Sequence, residues 1–144
     1  MGNSKNVDQI DRDYIGWLEE QTNKLKSRSF SELDIHNLVE VLETLIRNEK
    51  SEIRNLIYQI LVNFLLIDYW QEESSSQDYW REEIDNFQYQ LSNKMTTNLK
   101  NLLDQELNNI YAKARRSAMR ISKIENDRFP QQCPYSLAEI LDNT

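Results

Sequence analysis

The chain is 144 residues long and holds only two glycines and two prolines. Tight turns and strand ends rely on these residues, so a sequence nearly free of them suits a fold with many sharp reversals poorly. Helices joined by polar loops suit it best. The expected fold is therefore all-α: a compact bundle of five or six helices. With 39% hydrophobic and 28% charged residues, a chain of this length should bury about two-thirds of the surface its unfolded form exposes. It needs no metal or disulfide to hold a core. A single domain over residues 1–144 is expected, with 1–10 as a flexible tail.

Cys133 is the only cysteine, so no intramolecular disulfide can form, and a reducing compartment, the cytoplasm, is expected. Residues 1–13 are polar and lack the apolar run of a signal peptide. Gly2 invites myristoylation, but Asn6 stands where that signal needs Ser or Thr. The most apolar run, Ile60 to Ile67, is eight residues long, far short of the roughly 20 that cross a bilayer, so no membrane association is expected. The net charge of −7 repels nucleic acid and anionic lipid at long range and favours basic partners.

Asp11 is placed to cap a first helix in which Tyr14, Trp17, Leu18 and Leu25 recur at helical spacing, ending near Lys26. Gly16 inside it costs about 1 kcal/mol relative to Ala and reads as tolerated. Asp34 suits the N-cap of a second helix, with Ile35, Leu38, Leu42 and Leu45 on one stripe widened by Val39 and Ile46. His36, Glu40, Glu43, Arg47 and Lys50 take the other side. A third helix, whose separation from the second by a real break the sequence leaves open, is expected to start near Asn48 or Ser51 and run to about Trp70. It is apolar first at Ile53, Leu56, Ile57 and Ile60, then nearly all round, which marks a central helix.

A serine of the Ser74–Ser76 loop is expected to cap a fourth helix carrying Trp80, Ile84, Phe87, Leu91 and Met95. Thr96 or Thr97 caps a fifth, reaching about Ile124, whose Leu99, Leu103, Leu107, Ile110, Ala114, Ser117, Ile121 and Ile124 have the spacing of a bundle seam. Pro130 and Pro134 then deny helix. Residues 128–142 are expected to form a proline-containing C-terminal strap. Within it, Ser136 and Glu139 make a capping box for a short helix that turns Leu137, Ile140 and Leu141 inward.

Asp13-Tyr14 with Trp17 and Leu18, Phe30-Ser31-Glu32-Leu33-Asp34, Asn37-Leu38 with Glu40, Glu43, Arg47 and Glu49, Tyr79-Trp80, and Phe129-Pro130 with Cys133-Pro134-Tyr135 form an ordered set. Together, over nearly the whole chain, they resemble the domain-of-unknown-function family numbered twenty-nine, mainly cyanobacterial helical proteins. The resemblance implies a compact helical fold and a bacterial cytoplasmic setting, and carries over no activity, cofactor or substrate. The family commonly has Gly where this chain has Ile46, and often His-Leu-Leu-Lys where it has Phe64-Leu65-Leu66-Ile67. Chemistry resting on that His and Lys is not expected here.

Several features could carry function. His36, Glu40, Glu43 and Arg47 share a helical face, but a metal-binding bundle needs more imidazole than the single His this chain has. An i, i+4 pair of Glu43 with Arg47 on a solvated face is the plainer reading. Cys133 between Pro130 and Pro134 could be a nucleophile if a base or dipole lowered its pKa; otherwise it is a small apolar anchor. Asn63 inside the apolar run needs a partner, expected across helices.

Lys113, Arg115, Arg116, Arg120 and Lys123 lie in a stretch with no acidic residue between Asn108 and Ile124. At 100° per residue, Lys113, Arg116, Arg120 and Lys123 form one stripe. Such a stripe can track phosphates, or pair, within or between subunits, with the acidic second helix at Glu40 and Glu43. Trp17, Tyr69, Trp70, Tyr79, Trp80 and Tyr111 plug a bundle if buried and anchor an interface if exposed. No catalytic constellation, metal site or cofactor motif stands out.

The expected function is that of a non-enzymatic module binding another protein or a second copy of itself. A nucleic-acid-associated regulator using the fifth-helix stripe is the alternative. A small-molecule enzyme would need a polar pocket near Asn63 or His36. Phe129, Pro130, Cys133, Pro134 and Tyr135 are expected to serve structure.

Overall fold

The computed structural model describes residues 13–125 and 128–142. Among them the chain is all-α, with five helices and no strand: α1 (Tyr14–Lys26), α2 (Ile35–Tyr69), α3 (Gln77–Ser92), α4 (Thr97–Ser122) and α5 (Leu137–Leu141). Asp11, the expected first cap, lies outside the described residues. The cap of α1 is Asp13, whose carboxylate accepts from the Gly16 N–H at 3.0 Å. Gly16 is more than tolerated: a methyl group there would meet the Asp13 carboxylate at 3.0 Å or less, so the missing side chain makes room for the cap.

The expected second and third helices are one. Helix α2 runs unbroken for 35 residues, about 52 Å at 1.5 Å per residue. The start expected near Asn48 or Ser51 lies in a polar run, Arg47 to Glu52, that contains neither Gly nor Pro, and polar residues of this kind continue a helix as readily as they leave one.

The chain divides into two units, residues 1–48 and 49–144, with the boundary inside α2. In the first, Trp17 is buried with Gln21 and Asn37. Its centre is polar and knit by Asp34, whose carboxylate accepts from Trp17 Nε1 at 3.2 Å and from Asn37 Nδ2 at 2.8 Å. The Asp34 N–H donates to Gln21 Oε1 at 2.9 Å. Because a buried donor left unpaired costs about 1–3 kcal/mol, these bonds are what permit the burial.

In the second unit α2 is the centre. Ile57, Ile60, Leu61 and Leu65 are fully buried, packed in one cluster with Trp80, Ile84 and Leu91 of α3 and Leu103, Ile110, Tyr111 and Ala114 of α4. Asn63 is buried but bonds within its own helix, Nδ2 to the Gln59 carbonyl at 3.0 Å, and not across helices as expected. A satisfied i−4 carbonyl removes the need for a distant partner. Ion pairs join Arg54 of α2 to Glu106 of α4 at 3.1 Å, and Lys94, between α3 and α4, to Glu49 at 2.8 Å and Glu52 at 3.5 Å.

Ser76 sits at the start of α3 but its hydroxyl makes no capping bond, so the expected serine cap is not formed. Thr96 does cap α4, accepting from the Leu99 N–H at 3.3 Å. Ser136 caps α5, its Oγ accepting from the Glu139 N–H at 3.1 Å, but the Glu139 carboxylate accepts from the Ser136 hydroxyl at 3.2 Å in place of the backbone N–H that the expected capping box would use. Phe129, Leu137 and Ile140 belong to the core cluster. Gln88, buried on α3, donates to the Ile140 carbonyl at 3.1 Å.

Candidate interaction face on helix α2

Ile35, Leu38, Leu42 and Leu45 are spaced three, four and three apart, which stacks them on one face of a 3.6-residue helix with Val39 and Ile46 beside them. Such a stripe normally faces a core. Here it faces outward. Ile35, Leu42, Leu45 and Ile46 are 58%, 57%, 57% and 54% exposed, Val39 is 45% exposed, and only Leu38 is half-buried.

In the second unit, the α2 residues Ile53, Leu56, Ile57 and Ile60 are all buried. At the start of that unit Glu49 binds Lys94. That bond to Glu49 holds the Lys94 ammonium above the usual lysine range, with Glu52 adding to the effect.

Flanking the bare stripe are Glu40, Glu43 and Arg47, all exposed, and Lys50, half-buried. The expected Glu43–Arg47 pair does not form: Arg47 Nη2 donates instead to Thr44 Oγ1 at 3.0 Å. On an exposed flank the pair gains only tenths of a kcal/mol, and a nearer hydroxyl displaces it. Among the described residues no ion pair engages these four side chains. His36, also exposed, belongs to no group of His, Cys, Asp or Glu placed to hold a metal among the described residues.

On α4, Lys113, Arg116 and Arg120 are exposed, as is Lys123, which ends the helix in the left-handed conformation at φ 58°. None of the four is in an ion pair among the described residues. Arg115, the basic residue off the stripe, does something different: its Nε donates to the Phe129 carbonyl at 3.1 Å.

Phe129 is buried beneath it, its ring edge-on to Tyr69 at 6.1 Å. The Pro130 carbonyl accepts from the Tyr111 hydroxyl at 2.5 Å. Cys133 is half-buried, its thiol donating to the Tyr135 carbonyl at 3.2 Å, and burial pushes its pKa up. A raised thiol pKa keeps the sulfur protonated and unreactive near neutrality. Pro134 is exposed. Tyr135 lays its ring against Phe64 at 4.9 Å and donates to Asp68 Oδ2 at 2.5 Å; burial, then this bond, raises its pKa.

A cleft of about 450 Å³ lies among Phe64, Ile67, Asp68, Arg81, Tyr135 and Glu139, and one of about 260 Å³ among Arg54, Tyr58, Ile110 and Lys113. Neither includes Asn63 or His36. No described helix is long and apolar enough to cross a membrane. Periodicity places the α2 stripe on a common face but carries no signal of what covers it, so its exposure was beyond sequence reasoning. The bonds of Arg115 and Tyr135 link residues distant in sequence and gave no local signal either.

No curated protein and no solved structure matches this chain. The family model described as Domain of unknown function DUF29 matches residues 10–144. Since that match takes in almost the entire chain, including both α2 and the residues from Phe129 to Leu141, the protein belongs to the DUF29 family.

Proposed function

We propose that this chain is a non-enzymatic protein-interaction module, working in the cytoplasm, whose docking element is the first half of α2. One observation carries the reading: Ile35, Val39, Leu42, Leu45 and Ile46 form a contiguous apolar stripe left in water. Five large side chains about half exposed amount to on the order of 400 Å² of apolar surface, the patch size that on soluble proteins commonly marks a binding site. An exposed helix face with anchors at i, i+3, i+4 and i+7 is also the form in which helix-in-groove and helix-bundle contacts are made.

Photo-crosslinking tests it directly. A photoreactive amino acid placed at Leu42, and separately at Ile46, should yield discrete protein adducts in cells. The same label at Tyr89, exposed on α3, should not. Absence of protein adducts at both α2 positions would remove the reading.

A second reading rests on a separate observation, the exposed cations Lys113, Arg116, Arg120 and Lys123, which make no ion pair among the described residues. If α4 follows a phosphate backbone, nucleic-acid binding weakens with salt. Changing Arg116 and Arg120 to Ala should then lower the dependence of log K on log salt by about 2. An unchanged slope excludes it.

A further inference from the structure

We infer that the cleft among Phe64, Ile67, Asp68, Asp85, Tyr135 and Glu139 receives an arginine side chain of a partner protein. The inference goes beyond the α2 reading and does not rest on it: every residue lining the cleft belongs to the second unit.

Three segments build the cleft. Helix α2 supplies Phe64, Ile67 and Asp68, α3 supplies Arg81, Ile84 and Asp85, and the C-terminal residues supply Tyr135 and Glu139. The floor is apolar and fixed. Ile84 is buried, while Phe64, Ile67 and Tyr135 pack against the core cluster and keep part of their surface open. The rings of Phe64 and Tyr135 lie 4.9 Å apart, and the Tyr135 hydroxyl donates to Asp68 Oδ2 at 2.5 Å. A floor held in this way before anything binds costs an occupant little in ordering. The cleft volume, about 450 Å³, falls within the roughly 300–1,000 Å³ of sites that hold small ligands.

Charge selects the occupant. Asp68, Asp85 and Glu139, one from each segment, stand against the single cation Arg81; three carboxylates and one guanidinium leave a formal balance of −2. None of the three carboxylates is in an ion pair among the described residues, and Arg81 lies 3.8 Å from Asp78, which is outside the lining. The hydroxyls of Tyr135 and Ser136 donate to Asp68 and Glu139, which satisfies an oxygen on each without cancelling a charge.

A cation on an apolar stem matches both features, its stem on the floor and its head at the rim. A metal ion matches neither: it would leave the floor bare, and no group of His, Cys, Asp or Glu among the described residues is placed to hold one. Between the two basic side chains, arginine fits better. Its planar guanidinium stacks on an aromatic face and directs five N–H donors outward in its plane. It can lie on the Tyr135 or Phe64 ring and still reach carboxylates of more than one segment, whereas a compact ammonium lacks the plane to do both. The net charge of −7 steers basic partners toward the chain as a whole.

The test uses the full chain, isotope-labelled for NMR, with the capped tripeptide acetyl-Gly-Arg-Gly-amide as probe. Backbone amide shifts should saturate with a Kd on the order of 1 mM, the largest of them within residues 64–68, 81–85 and 135–139. The same peptide with citrulline, neutral and close in shape, should bind about tenfold more weakly or worse, and the lysine peptide about threefold more weakly. Asp85→Asn, at an exposed position with no ion pair to lose, should weaken the arginine peptide about threefold at an unchanged melting temperature. Arg81→Gln removes the competing cation and should tighten it by about the same factor.

No saturation at millimolar concentrations overturns the inference, as do shifts scattered over the acidic surface, an equal response to citrulline or lysine, or an Asp85→Asn variant that binds like the parent. Free arginine binding more tightly than the capped peptide would assign the cleft to a small molecule and overturn it too. Crosslinking at Leu42 reports on the α2 stripe alone, so either idea can fail while the other stands.

Discussion

The indole nitrogen of Trp17 donates to Oδ2 of Asp34 at 3.2 Å, and the same oxygen accepts from Asn37 Nδ2 at 2.8 Å. A single carboxylate at the start of α2 thereby satisfies a buried indole and a buried amide. Removing one donor loses one bond; removing the acceptor strands two. Asp34→Ala should therefore destabilise the protein by about 1–3 kcal/mol, against about 1 kcal/mol for Trp17→Phe. Chemical denaturation followed by circular dichroism ranks them, and a Trp17→Phe loss equal to or larger than that of Asp34→Ala would remove Asp34 from the centre of this network.

Two apolar residues of α2 should respond differently to truncation. Ile57 is fully buried in the second unit and Leu42 is 57% exposed. Ile57→Ala, like Leu61→Ala, should cost about 2–5 kcal/mol. Leu42→Ala, measured at concentrations where the chain is monomeric, should stay within about 0.5 kcal/mol. A large loss at Leu42 would mean that the stripe is covered within the chain.

Much of this fold was legible because helical periodicity is local. The stripe of α3, that of α4 from Leu103 to Ser117, the Thr96 and Ser136 caps and the central position of Leu61 follow from residue spacing alone, whereas Ile121, expected in the α4 seam, is 51% exposed. The misreadings share one cause. A polar run such as Arg47 to Glu52 carries no sign that decides between loop and continued helix when Gly and Pro are absent. A stripe such as Ile35 to Ile46 shows which residues lie together, while burial depends on elements far away in the chain. Asn63 was expected to reach another helix because its environment is apolar; the Gln59 carbonyl one turn back was sufficient. The exposure of Lys113, Arg116, Arg120 and Lys123, like that of the α2 stripe, depends on packing that residue spacing does not encode.

The C-terminal residues should be indispensable to the second unit. Phe129 is buried against Tyr69, its carbonyl and that of Pro130 accept from Arg115 and Tyr111, and Gln88 reaches the Ile140 carbonyl. Phe129→Ala should cost about 3–5 kcal/mol, and a chain ending at Glu125 should melt at a clearly lower temperature than the full chain. Equal melting temperatures would make these residues an appendage.

Alkaline pH should loosen the same region. Burial raises the pKa of Cys133 from its ordinary 9.0 and pushes Tyr111 from 10.0 up to about 12, with Cys133 nearby adding to the latter; Tyr135 is raised too. Each group holds its proton more tightly folded than unfolded. In the window between the two values the folded state binds more protons, so stability falls as pH rises. This contribution is fully present below pH 9.0, begins to fade as unfolded Cys133 ionises, and for Tyr111 is lost between pH 10.0 and about 12. Tyr111→Phe removes one titrating group. It should cost about 1 kcal/mol at neutral pH through the lost bond to Pro130, yet flatten the decline in stability above pH 10.0. Urea melts at stepped pH, paired with tyrosinate absorbance, measure both. If the two proteins lose stability in parallel across that window, the phenol of Tyr111 is not held protonated by the fold.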